Sequence, residues 1–314
     1  MYTPYLRGKQ YELIALRELA PDLKDWNVVP LIEPVRNTFT SLATAMKELA
    51  SANAPFRIIL NPKVGQLTSS EDALLEFLGS DTSFMEHGLP TIALADDADL
   101  AALARLANYW THKPFSILHN GFGDAEALHQ LLAKTGQPDL HLFVGDEQEL
   151  YMRQFRGEAR VLIKDGFKLE RNADYKPEDP FSDLHEIYQD QGLSGFGDFL
   201  TIGDNYSETG GPAYAVAIHL TYFNAYRYNS MYCKHYKSHT NDTPTDPANK
   251  FLEAVTNVHN DIANGFDQFT ETTALQELLA LYERKHFPGL GYVKKLSIKH
   301  HIETVGSFLE DADD

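Results

Sequence analysis

The segments Val28-Val-Pro-Leu-Ile-Glu-Pro34, Ser41-Leu-Ala-Thr-Ala-Met-Lys-Glu-Leu-Ala-Ser-Ala52 and Arg57-Ile-Ile-Leu-Asn61 follow one another along the chain, and their reading decides the fold class. The outer two are short, continuous apolar runs rich in β-branched residues. The middle one carries Leu42, Ala45, Met46 and Leu49 on one helical stripe, with Ser41 as the expected cap. Continuous rather than alternating apolar strands are expected where a parallel sheet is covered on both faces. Strand, helix and strand within roughly 30 residues make a βαβ unit.

The same rhythm extends in both directions. A helix is expected at 9–19, ahead of the first strand, to close the barrel bottom. Further strands are expected at 91–95, 115–119, 141–144, 160–163, 198–202 and 215–220. Helices are expected between them at 70–78, 98–110, 124–133, 147–155 and 182–191, with Ser70 capping the first of these. About eight such units predict an α/β chain folded as a (β/α)8 TIM-like barrel. Its core is placed at 1–224. An irregular segment from 225 and C-terminal helices at 249–264, 273–286 and 292–309 form a helical tail packed on that core, giving a single domain overall.

Composition narrows the function classes. Among 314 residues, 45 are acidic and 27 basic, a net charge of −18 that repels nucleic acid and anionic membranes at long range. Cys233 is the single cysteine, so no internal disulfide forms, and a reducing cytoplasm is the expected compartment. The N-terminal residues lack the apolar run of a signal peptide, and no run approaches the roughly 20 apolar residues of a membrane span.

In this architecture chemistry gathers where strands end. The strand ends carry Glu33 and Arg36, Asn61 and Lys63, Asp96 and Asp97, His119 and Asn120, Asp146, Lys164 and Asp165, then Asp204 and Asn205, with His219 inside the last strand. Acids, bases and imidazoles converging on one mouth suit proton transfer or anion binding. Ser207-Glu-Thr-Gly-Gly211 is the phosphate-loop candidate, although it holds Glu208 and runs into Pro212, which has no N–H. No Walker loop, dinucleotide fingerprint or Gly-x-Ser-x-Gly elbow is present, and no cofactor is assigned. No metal site is assigned either. His235 and His239 have i, i+4 spacing, but the glutamate of a zincin helix is missing beside them. Lys294, Lys295, Lys299, His300 and His301 concentrate positive charge near the C-terminus, the one expected route to nucleic acid.

The opening Tyr2-Thr-Pro-Tyr-Leu-Arg-Gly-Lys-Gln-Tyr-Glu-Leu-Ile-Ala-Leu16 and Val29-Pro-Leu-Ile-Glu33 resemble the start of the "beta protein" family of phages and bacteria. Gly197-Asp-Phe-Leu-Thr-Ile-Gly-Asp204 and Ala215-Val-Ala-Ile-His-Leu-Thr-Tyr222 resemble it too. The resemblance implies a barrel-like fold. It also implies a part in bacterial anti-phage defence or mobile-element conflict; the acidic surface and basic tail add the expectation of a protein partner encoded nearby, with a small ligand at the strand carboxyl ends. The alternative expectation is a hydrolase or lyase acting on a small anionic or nucleotide-like substrate at the same face. Glu33, Lys63, His119, Lys164 and Asp204 are then the expected catalytic groups, and Arg36, Asn61, Asn120, Asp165 and His219 the expected ligand contacts.

Overall fold

The computed structural model describes residues 1–68, 71–96, 99–110, 113–145 and 149–313. The expected cap Ser70, the strand-end acids Asp97 and Asp146, and the helix starts at 98 and 147 lie outside those residues. The chain forms two compact units, Met1–Lys164 with Ile187–Asp198, and Asp165–Glu186 with Phe199–Asp314.

The strands are β1 (Tyr2–Leu6), β2 (Leu31–Ile32), β3 (Phe56–Ile59), β4 (Gly88–Leu94), β5 (Ser116–His119), β6 (Leu140–Val144), β7 (Arg160–Lys164), β8 (Glu178–Ser182), β9 (Gly195–Asp198), β10 (Ala217–Asn224) and β11 (Ser230–Lys237). The helices are α1 (Gln10–Leu23), α2 (Thr40–Ser51), α3 (Glu71–Ser80), α4 (Thr82–His87), α5 (Asp99–Tyr109), α6 (Ala125–Thr135), the single turns α7 (Glu149–Met152) and α8 (Leu184–Ile187), then α9 (Pro247–Ala263), α10 (Thr273–Glu283) and α11 (Leu290–Asp313).

In the first unit β1 to β7 and β9 close an eight-stranded parallel barrel in sequence order. The (β/α)8 TIM-like architecture is therefore present. Its seam is the pairing of β1 with β9, in which Thr3 lies beside Gly197 and Pro4 beside Asp198. Glycine is required there: a Cβ on Gly197 would stand 2.2 Å from the Thr3 carbonyl oxygen, and one on Gly195 would stand 2.5 Å from that of Met1. The fully buried Tyr2 hydroxyl donates to Asp198 at 2.8 Å across the same seam. Near the amino-terminal end of the strands the Arg57 guanidinium of β3 reaches Asp139, just before β6, with bonds of 3.2 and 2.6 Å. That pair joins strands that are not neighbours in the ring.

The outer helices follow the apolar period. α1 buries Leu13, Leu16, Leu19 and Leu23, and α2 buries Leu42, Ala45, Met46 and Leu49. Ser41 does not cap α2, because the helix begins one residue earlier and Phe39 holds the cap position. Asp124 does cap α6, accepting from the Ala127 amide at 2.9 Å, and Gly136 ends that helix at φ 108°.

The second unit is built on a three-stranded antiparallel sheet in the order β10-β11-β8. Ile218, Leu220 and Tyr236 lie in one buried cluster with Phe251 and Val255 of α9, Leu278 of α10 and Leu296 of α11. No helix among the described residues is long and apolar enough to cross a membrane.

Three expectations about the strands are corrected. The first barrel strand is Tyr2–Leu6, five residues containing Pro4, so the expected strand at 28–34 becomes β2. The expected strand at 198–202 begins where β9 ends, and Leu200–Ile202 is a 3-10 turn with Leu200 at φ 55°. The expected eighth strand is β10, which pairs antiparallel with β11 outside the barrel. The barrel's strands thus finish at Asp198, not within a core reaching 224. The segment read as irregular from 225 contains β11, and the helix expected at 182–191 is the end of β8 followed by the single turn α8.

Candidate functional site

In the first unit the strand-end residues fall into separate networks. Glu33 follows β2 and is completely buried. One carboxylate oxygen accepts from the Tyr5 hydroxyl at 2.9 Å and from the Arg7 guanidinium; the other accepts from the Lys63 amide at 2.6 Å. Arg7 also donates to the Tyr5 hydroxyl at 3.0 Å. The Lys63 ammonium pairs with Asp99, whose second oxygen accepts the Ala95 amide at 2.7 Å. Asn61 binds β4 at both ends of its amide, to the Ala93 N–H and C=O, each at 2.8 Å. Beside these groups lies a cavity of only about 80 Å3, lined by Asn61, Lys63, Thr68, Glu71 and Asp99. Glu33, Asn61 and Lys63 therefore lie close together, and each is engaged by neighbouring protein groups. Tyr5, Arg7 and Asp99 complete the network and carry no motif that would have singled them out.

His119 belongs elsewhere. Its Nδ1 meets the Tyr151 hydroxyl at 2.8 Å and its Nε2 meets His141 Nδ1 at 2.8 Å; His141 Nε2 then meets Glu158 at 2.6 Å. One proton arrangement satisfies all of these. His141 donates from Nε2 to the carboxylate, so its Nδ1 accepts from His119 Nε2–H, and His119 Nδ1 accepts from Tyr151. Burial, reinforced by the neighbouring His141, holds His119 neutral by pushing its pKa well down. The ring stacks on Phe143 at 4.4 Å and packs on Phe155. This is a satisfied interior chain, and it shares no residue with the Glu33 network. Arg36 and Lys164 are half-buried, while Asn120 is exposed and fixed through its amide to the Leu94 carbonyl at 2.8 Å.

Asp165, Asp204 and His219 lie in the second unit. Asp165 accepts the Phe167 amide at 3.0 Å and the Asp204 amide at 2.8 Å, so it shapes the turn that Asp204 occupies. The C-terminal basic residues do not form a solvent-facing patch: Lys295, Lys299, His300 and His301 are buried. His300 is spanned by the Thr272 hydroxyl at 2.7 Å and the Thr221 carbonyl at 2.9 Å, and His301 meets the Thr221 hydroxyl at 2.9 Å. Of the expected group only Lys294 is exposed.

The large concavity is in this unit. It measures about 780 Å3, inside the range of small-molecule sites. Phe167, Tyr175 and Val293 give it apolar walls, and His219, Asn172, Glu170, the Arg171–Asp174 ion pair and Lys294 give it polar ones. Gly210 and Gly211 of the phosphate-loop candidate border it too. Lys294 makes no ion pair among the described residues, and its charge is felt at His219. Burial, the facing His235 and Lys294 together lower the His219 pKa to about 3, so a neutral imidazole lines the cavity.

Strand pairing sets a second histidine against the first. His219 and His235 are direct partners on β10 and β11, and Cys233 lies two residues from His235 on the same face. One ligand atom from each of His219, His235 and Cys233 lies within 4.8 Å of the other two. Helical spacing of His235 with His239 has no bearing here, because His235 is in a strand. The sequence signal was alternation at Cys233 and His235. It was hidden because β11 ran into a polar, aromatic stretch without an evident period.

No protein-family model and no curated protein matches the chain.

Proposed function

We propose that the second unit binds a small organic anion with a flat apolar body, of the nucleoside monophosphate class, in the cavity of about 780 Å3. The observation that carries this reading is Lys294, an exposed ammonium at a largely apolar cavity with no carboxylate partner among the described residues. Phe167 and Tyr175 supply an apolar wall for the body of such a ligand, and the Gly210–Gly211 backbone offers room for close approach of an anion. Binding rather than turnover is the proposed activity. Of the groups expected to be catalytic, Glu33 and Lys63 are engaged in one network and His119 in a separate one, while Asp204 lies in the other unit.

Titration calorimetry with adenosine monophosphate, adenosine and inorganic phosphate tests this. The expected result is saturable binding of the monophosphate, weaker binding of adenosine and of phosphate alone, and a loss of at least about tenfold in Lys294→Glu, as expected for one charge-assisted hydrogen bond. Equal affinity in Lys294→Glu, or no binding by any of the three, overturns the reading.

A further inference from the structure

Beside that cavity, but not dependent on its ligand, His219, His235 and Cys233 form a triad with an unexplained polar atom. His235 is 5% exposed, and its Nε2 has no hydrogen-bond partner. That nitrogen faces the Asp179 carboxylate at 3.8 Å, too far for a hydrogen bond. Its other nitrogen, Nδ1, stands 2.8 Å from His219 Nδ1 and 3.9 Å from Cys233 Sγ. We infer that His219 Nδ1, His235 Nδ1 and Cys233 Sγ form a binding site for a thiophilic transition-metal ion, zinc being the type.

Three arguments support it. Two imidazoles and a thiolate are a donor set for zinc, and three protein ligands leave a fourth position open. The open position has an outlet, because His219 borders the cavity. Two nitrogens on a tetrahedral ion at 2.0–2.1 Å stand about 3.3 Å apart, so the 2.8 Å pair opens by about half an ångström to admit one. Finally, the placement of Asp179 matches an outer-shell carboxylate. A histidine bound through Nδ1 carries its proton on Nε2, and His235 Nε2 is the nitrogen that faces Asp179.

The proton balance is explicit. Without metal, His219 Nδ1–H donates to His235 Nδ1, and Cys233 is a thiol. On binding, the His219 proton moves to its Nε2, the Cys233 S–H bond breaks, an S–metal bond forms, and one proton leaves to solvent. Burial, with Asp179 beside it, holds the Cys233 thiol well above its usual range, so the ion must displace that proton.

The test is a Co2+ titration of the full chain followed by absorbance, with Zn2+ as competitor. Cys233 is the only cysteine, so any thiolate-to-cobalt charge-transfer band belongs to it. The expected result is a band that saturates at one equivalent, releases about one proton per ion, and disappears on adding Zn2+. Asp179→Asn, which leaves all three ligands in place, is expected to weaken uptake about 10- to 100-fold. Absence of a saturable band in the unsubstituted protein, or uptake without the band, overturns the assignment. Loss of nucleotide binding in Lys294→Glu with the cobalt band intact separates this site from the ligand cavity.

Discussion

His219 and His235 stand directly opposite one another on β10 and β11, with their Nδ1 atoms 2.8 Å apart. Two protonated imidazoles cannot occupy that geometry, so the sheet is built around their neutral forms. Lys294 and Lys237 reinforce this, while Asp179 opposes it at His235.

A pH dependence follows from these shifts. Above pH 6.5 the two groups are neutral in both folded and unfolded chains. Below it the unfolded chain takes up protons that the folded chain refuses until about 4 at His235 and about 3 at His219. Stability is therefore fully present above 6.5 and is lost as pH falls toward 4 and 3, by about 2 kcal/mol per histidine at pH 5. Urea unfolding at pH 7.5 and pH 5 measures it; a midpoint independent of pH across that range contradicts the account.

The seam of the barrel gives a second prediction. Gly197→Ala places a Cβ 2.2 Å from the Thr3 carbonyl oxygen, and backbone cannot swing aside as a side chain would. The expected cost is about 3 kcal/mol, with amide exchange accelerated first in β1 and β9. Exchange unchanged at both strands excludes their pairing.

Glu33 is expected to act on stability. Glu33→Ala removes at once the acceptor of the Tyr5 hydroxyl, the Arg7 guanidinium and the Lys63 amide, at a cost of about 3–5 kcal/mol. Glu33→Gln keeps the acceptor for the Lys63 amide and is expected to cost less. Chemical denaturation of both variants is the measurement, and affinity for adenosine monophosphate is expected to be unchanged in each. A Glu33→Ala chain as stable as the parent refutes the structural role.

The interior chain from Tyr151 to Glu158 behaves likewise. His119→Phe retains the stack on Phe143 but leaves the Tyr151 hydroxyl and His141 Nδ1 without partners. About 2 kcal/mol of stability is expected to go, read by thermal or urea unfolding.

The closed barrel was legible because six of its strands, β2 to β7, are apolar runs separated by amphipathic helices. The two strands that close the ring were not. β1 carries a proline, and β9 has glycine at two of its four positions, so neither reads as a strand by propensity. Their glycines are set by close approach of another backbone, which only the folded ring defines. The same limit applied to the site. Glu33, Asn61 and Lys63 lie near one another at strand ends, whereas His119, read as part of the same mouth, does not join them, and nothing local told that Tyr5, Arg7 and Asp99 would engage them. His219 was singled out, whereas His235 and Cys233 became its neighbours only through a hairpin register. The basic tail was misread because α11 buries Lys295, Lys299, His300 and His301, a fate that charge alone disfavours and hydrogen bonding by Thr221 and Thr272 makes tolerable for the histidines.

The most direct measurement is a crystal structure of the chain soaked with adenosine monophosphate. The account predicts the phosphate within hydrogen-bonding distance of Lys294 Nζ, and the base against the apolar wall of the cavity in the second unit. A nucleotide seated instead on Glu33 and Lys63 at the barrel strand ends would contradict it.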